Sequence, residues 1–228
     1  MHSYCRGGGV LLLAADGLRC RRRPDLQLWS ESAWIEVQLS GCRSLIVGCV
    51  YRPPSSSIAD INDFVRCLEL ALDNVDHRRF QTVLVGDFNA TFPSWCPSDT
   101  YNVAGRALKP VFHQLGLSQC VDFPTHLGND GRLRSLLELV LVSDRALLWE
   151  TSALPPLGKS DHIMLESTLA LRVSVNPSAR SRRTWLYDNA DFEKINKLLS
   201  NLTLTGWLFL PRRISTRLGL HGRTSSCL

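Results

Sequence analysis

No stretch of this sequence is apolar for long enough to cross a membrane. The longest such run, Val10–Ala15, falls far short of the roughly 20 residues that a spanning helix needs. It is also too short for the hydrophobic segment of a secretory signal, and glycines and Asp16 flank it where a cleavage signal would sit. The run reads instead as a strand, and the chain as intracellular and not secreted. Eight cysteines are present but none forms a C-x-x-C pair, which argues against a zinc knuckle or ribbon. Several lie in apolar stretches, as Cys49 does within Ile46–Val50, and read as reduced, buried thiols. Charged residues make up only 21% and hydrophobic ones 44%, so wholesale disorder is excluded and 228 residues suffice for one domain with a real core. No internal repeat is visible.

A phosphate-cradling glycine loop is missing as well. Gly158-Lys159-Ser160 has the ending of one, but Ala153 stands where its first glycine belongs. Pro155 and Pro156 intervene, and a strand pattern follows instead of a helix. The net charge of +5 is unevenly placed. Residues 1–171 hold 16 Lys and Arg against 18 Asp and Glu, a net of −2, whereas residues 172–228 hold 10 against 3, a net of +7. A near-neutral body with a basic tail suits an anionic partner reached mainly through the tail.

Periodicity supplies the elements. Ile35, Val37 and Leu39 alternate with polar residues as in a half-buried strand, and Leu45–Tyr51 is a near-continuous apolar run that fits a strand buried on both faces. Pro53 and Pro54 stop it. Ser57, with Asp60 three residues on, reads as an N-cap, and apolar residues at helical spacing predict a helix over 58–75. A strand at Thr82–Val85 and a helix near 104–115, closed by Gly116, come next. Further strands are expected at Cys120–Phe123, Leu136–Val142, Trp149–Ala153 and Ile163–Leu171. Strand groups separated by helices indicate a layered α/β sandwich. The text turns polar and basic from Ser174, which sets a domain over 1–173 and a basic linker and irregular tail over 174–228.

Four short motifs can carry chemistry. In Gly86-Asp87-Phe88-Asn89 a carboxylate and an amide at a strand end can orient a water and hold an anionic oxygen, or can form a turn of the kind Asp and Asn favour. Ser160-Asp161-His162 offers a metal ligand beside an acid/base or phosphate-binding group, or else a polar lead-in to a strand. Tyr51-Arg52-Pro53-Pro54 places a phenol and a guanidinium where they can touch phosphate, or simply ends a strand. Glu138, between apolar neighbours, either faces solvent or is buried and needs a partner, for which a histidine would serve.

Taken in series, these four motifs resemble the endonuclease/exonuclease/phosphatase superfamily, most nearly the apurinic-type endonuclease domain of non-LTR (LINE-type) retrotransposon polyproteins. The resemblance runs from about Gly7 to Leu171, and Trp185–Phe192 is similar to the segment that leads towards reverse transcriptase in such polyproteins. It implies a four-layer α-β-β-α sandwich and metal-assisted hydrolysis of a phosphodiester. Asp87 would orient or deprotonate the attacking water, and Asn89 would hold water and phosphate. His162 would contact the scissile phosphate, Glu138 would hold His162, and Tyr51 would support the phosphate. Asp161 and Asp87 would contribute to a magnesium site, with manganese the alternative, since a hard cation wants carboxylate oxygens. The partner would be target DNA, nicked in the nucleus and met also by Arg52, Arg180, Arg182 and Arg183. No membrane or protein partner is indicated.

Two departures from the family pattern bear on activity. The family usually has Asp where this chain has Glu138, one methylene longer, which would shift His162 and weaken activity without abolishing it. In the family, an Asn on a first strand and a metal-binding Glu on the next precede the glycine-rich strand resembled by Gly7–Leu11. This chain starts at that strand, so the expectation is a sandwich incomplete at its N-terminus and an impaired enzyme. Two alternatives stay open: a catalytically inactive remnant that binds nucleic acid non-specifically through its tail, and a phosphatase of the same fold.

Overall fold

The structure, a computed structural model, describes residues 9–40, 44–172, 193–194 and 216–219. Its main sheet has six strands: β1 (Cys20–Arg22), β2 (Ser32–Gln38), β3 (Ser44–Tyr51), β4 (Phe80–Asp87), β5 (Ser118–Gln119) and, after a two-stranded hairpin, β8 (Glu138–Val142). Their spatial order is β1-β2-β3-β4-β8-β5. The hairpin is β6 (His126–Leu127) with β7 (Leu133–Ser135). A smaller sheet sets β10 (Met164–Leu169) between β9 (Leu148–Leu154) and β11 (Thr216–Gly219). Only β3–β4 in the main sheet is parallel, because helix α1 (Ile58–Asp73) makes the crossover between them.

The central strands are apolar on both faces because both faces are covered. All five residues of β8 are buried, as are the last six of β4. Helices α1 and α2 (Val103–Gln114) pack through Phe64, Leu68, Leu108 and Phe112, while Leu165 and Leu169 of the smaller sheet join the same core. This is the mixed α/β architecture expected, with helices over one layer and a second sheet behind. An outer helical layer beyond the second sheet is not found among the described residues.

Helix α1 starts where its cap predicts. The Ser57 hydroxyl accepts from the Asp60 amide at 3.2 Å, and the Asp60 carboxylate accepts from the Ser57 amide at 2.9 Å. Ser57→Ala is expected to cost about 1 kcal/mol, read as a lower urea midpoint at unchanged slope. Helix α2 ends as expected, with Gly116 at φ +65 just past its last turn.

Three expectations are corrected. Val10–Ala15 forms no strand, and Leu11 and Leu13 are 76% and 83% exposed, so the run never finds a sheet edge to pair with. The strand predicted at Cys120–Phe123 is instead Ser118–Gln119, and Cys120 just beyond it donates its amide to the Val140 carbonyl. The reading of reduced, buried thiols holds only in part: all five described cysteines are unpaired and Cys67 and Cys96 are buried, but Cys49 and Cys120 are half-buried and Cys20 lies exposed on edge strand β1. Arg180, Arg182, Arg183, the boundary at 173–174 and the Trp185–Phe192 segment lie outside the described residues.

Candidate active site

Strands β3, β4 and β8 deliver their ends to one place. In register, Tyr51 pairs with Asp87 across the parallel ladder, and Asp87 pairs with Glu138 across the antiparallel one. Two glycine-dependent details fix β4 there. Gly86 has φ +148, and a Cβ on it would lie 1.8 Å from the Val50 carbonyl oxygen, so only glycine lets β4 approach β3 this closely. Directly after Asp87, Phe88 is fully buried in a chain of edge-to-face rings, 6.1 Å from Phe64 and 5.6 Å from Phe112. The helices thereby clamp the end of β4 from behind.

Beyond Phe88 the chain leaves the extended conformation. Asn89 has φ +47, and its amide donates to Asp87 Oδ1 at 2.9 Å. The turn and the site therefore coexist: Asp87 closes the bend, and strand alternation no longer describes where Asn89 points. The Asn89 side-chain amide donates to the Arg52 carbonyl at 2.7 Å.

Arg52, expected at a phosphate, serves this bend instead. It is 2% exposed, and its guanidinium donates at 2.7 Å to the carbonyls of Phe88, Asn89 and Pro53. Burial leaves it no open surface for DNA, and its charge caps a loop whose carbonyls have no other strand to bond. Asn102, at the start of α2, adds a bond to the Asn89 carbonyl at 2.8 Å.

Glu138 is 2% exposed and hydrogen-bonds Nδ1 of His162 through Oε1. Its backbone is anchored from below: the buried Thr125 hydroxyl accepts from the amides of Leu137 and Glu138 at 3.0 and 3.3 Å, and Asp99 accepts from Leu136 at 3.0 Å. The Ser160 hydroxyl accepts from the His162 amide at 3.1 Å, turning the chain into β10. Bonding at Nδ1 leaves Nε2 of His162 to face Asp161, whose Oδ1 is 3.9 Å away.

The electrostatics follow from this crowding. Burial and the adjacent Glu138 charge push the Asp87 carboxyl up to about 7, against the Asn89 hydrogen bonds and the His162 charge, which pull it down. Burial works against a charged His162, but the hydrogen bond and charge of Glu138, helped by Asp87 and Asp161, outweigh it and raise its pKa. Glu138 Oε2 is buried with no hydrogen-bond partner. Two buried carboxylates in register repel each other, and either the proton that Asp87 keeps or a divalent cation in its place relieves that crowding.

Among the described residues, ligand-type atoms converge in two groups, Asp87 with Glu138 and His162, and His126 with Asp161 and His162. His162 belongs to both, while Asp87 and Asp161, expected to share a metal, fall in different groups. The oxygens of Asp87 and the half-exposed Asp161 are of the kind that hard divalent cations take. His126 was not foreseen. It sits on two-residue β6, its position in the chain marked only by Pro124 and the following turn, and a single backbone bridge brings it against His162.

Comparison with known proteins gives this arrangement its family. Residues 45–166, more than half of the chain and inclusive of every residue placed in the site, match the family described as endonuclease-reverse transcriptase. The chain belongs to that family. Among solved structures, the endonuclease domain of TRAS1, a telomere-specific non-LTR retrotransposon, superposes with a TM-score of 0.54 at 19% identity, over 64% of this chain and 64% of that one. That likeness shows the endonuclease/exonuclease/phosphatase fold. The chain spans about 64% of that domain's length. The 3′ phosphatase NExo from Neisseria, bound to a product DNA hairpin, has 18% identity and a TM-score of 0.44 over 63% of this chain and 67% of that one. The APE2 catalytic domain of Xenopus laevis has 13% identity and a TM-score of 0.46 over 64% and 58%. No curated protein sequence matches the chain.

Proposed function

We propose that the chain is the endonuclease module of a retroelement and hydrolyses a DNA phosphodiester with a divalent cation, magnesium by preference. The observation that carries this reading is the meeting of Asp87 at the end of β4, Glu138 at the start of β8 and His162 just before β10. Asp87 or Asp161, which lie in different ligand groups, would hold the cation, and it would supply positive charge to the phosphate.

The chain's own residues divide the remaining work. Glu138 fixes His162 through Nδ1, so that Nε2 faces a phosphate oxygen and offsets its growing charge. Asp87 accepts the proton of the attacking water as oxygen bonds to phosphorus and the bond to the leaving sugar oxygen breaks. Tyr51, beside Asp87 in register, supports the phosphate. Asn89 acts through the bend it makes with Asp87 and Arg52. Arg180, Arg182 and Arg183 add salt-sensitive backbone contacts.

Supercoiled-plasmid nicking by residues 1–228 tests the reading. Relaxed circles are expected with magnesium and not with EDTA, and His162→Ala is expected to nick at least about 100-fold more slowly. Without a cation, burial and Glu138 raise the Asp87 carboxyl to about 7, and a bound cation lowers it, so in magnesium the rate should rise with pH over a range below 7 as Asp87 sheds its proton to act as the base. Turnover of a small phosphomonoester with plasmid left intact would favour the phosphatase alternative.

A further inference from the structure

We propose that His126, Asp161 and His162 form a site for a borderline divalent cation, zinc being the best match, and that zinc there withdraws His162 from the phosphate. The second half rests on the role given to His162 above; the binding site itself does not.

The backbone makes the pairing. His126 and His162 face each other across an isolated antiparallel bridge. The flanking bonds run from the Leu127 amide to the Asp161 carbonyl at 2.7 Å and from the Ile163 amide to the Thr125 carbonyl at 3.0 Å. The two histidines are therefore a non-hydrogen-bonded pair, the arrangement that brings side chains closest. Their rings stand 4.9 Å apart at 62°.

Asp161 lies within reach of both. Its Oδ2 is 3.8 Å from Nε2 of His126 and its Oδ1 is 3.9 Å from Nε2 of His162. One ligand atom from each residue lies within 4.8 Å of the other two. Tetrahedral zinc with ligands at about 2.0–2.1 Å sets neighbouring ligand atoms ~3.4 Å apart. The two measured gaps end on different oxygens of Asp161, so one carboxylate oxygen and the two ring nitrogens, which lie within 4.8 Å of one another, must draw together by up to about 1.4 Å, a movement that side-chain rotation supplies.

The donor chemistry selects the ion. Two imidazoles and one carboxylate suit zinc better than magnesium, which prefers an all-oxygen shell. His162 also has what a zinc-bound histidine commonly has, a carboxylate holding its other ring nitrogen, here Glu138. Side-chain exposures of 48% at Asp161 and 30% at His126 leave the fourth position open to water. An ion on Nε2 of His162 takes the place of the proton which that nitrogen presents to phosphate.

Zinc titrated calorimetrically into the folded chain in excess magnesium tests the site, with cobalt as its spectroscopic stand-in. One ion per chain is expected, with nitrogen and oxygen ligation in the cobalt spectrum. His126→Ala and His126→Gln should each weaken binding by at least about tenfold, two variants being used so that one folded protein is available. Unchanged affinity in a folded variant would overturn the proposal, as would a thiolate charge-transfer band placing the ion on cysteine. Asp87→Asn separates the two claims: it should lose nicking yet keep its zinc affinity. Where wild-type chain nicks, zinc should suppress it; wild type that binds zinc and nicks undiminished would overturn the second half.

Discussion

Asp87→Asn is expected to lose nicking by about 10²–10⁴-fold and to gain stability above neutral pH. The loss follows from removing the one buried carboxylate placed to take the water's proton. The gain follows from charge. Asp87 rises from 3.8 to about 7 on folding, first because burial disfavours its ionised form and then because Glu138 lies beside it. Between those values the folded chain holds a proton that the unfolded chain has released, so stability falls as pH rises through this window. Asparagine has no proton to lose and keeps an oxygen to accept from the Asn89 amide. Its melting temperature should therefore exceed wild type by several degrees at pH 8 and approach it near pH 4. A residue that matters only for structure would lose stability along with activity. Calorimetry and nicking on one preparation read both effects.

Gly86→Ala is expected to abolish folding. Its Cβ would stand 1.8 Å from the Val50 carbonyl oxygen and 2.8 Å from its carbon, both backbone atoms in the adjacent central strand. No rotamer relieves that contact, and φ +148 disfavours a side chain independently. The cost should exceed ~4 kcal/mol, a large share of the roughly 5–15 kcal/mol that holds a domain together. Gly116→Ala is the control. It too has positive φ, but nothing lies within 4 Å, so the cost should be about 1–2 kcal/mol and the protein should fold. Soluble yield and urea midpoints of the pair distinguish steric exclusion from backbone preference alone.

What the sequence shows depends on how local each signal is. Helix α1 and strands β2, β3 and β4 are readable because burial writes a period of 3.6 or 2, or an unbroken apolar run, into consecutive residues. Asp87, Glu138 and His162 are readable as motifs. Their convergence is legible only through the family resemblance and not from local pattern, since it depends on the antiparallel pairing of β4 with β8 and on the turn at Ser160. Val10–Ala15 shows the converse: apolar composition makes a strand only where an edge is available to pair. Edge strand β1, polar and exposed, carries no hydrophobic pattern at all. Arg52 misleads for a different reason. An arginine beside a site looks like a phosphate ligand, and only the three carbonyls of the Asn89 bend reveal a structural cation. His126 is hidden by its two-residue strand and by a partner distant in the chain.

Asp87, Glu138 and His162 act here as one unit, and a double-mutant cycle on nicking tests that most directly. Rates would be measured for wild type, Asp87→Asn, His162→Ala and the double variant in magnesium at one pH. The account predicts that the double variant is no slower than the slower single one, because either change disables the same step. Losses that multiply would show two groups working independently and would contradict it.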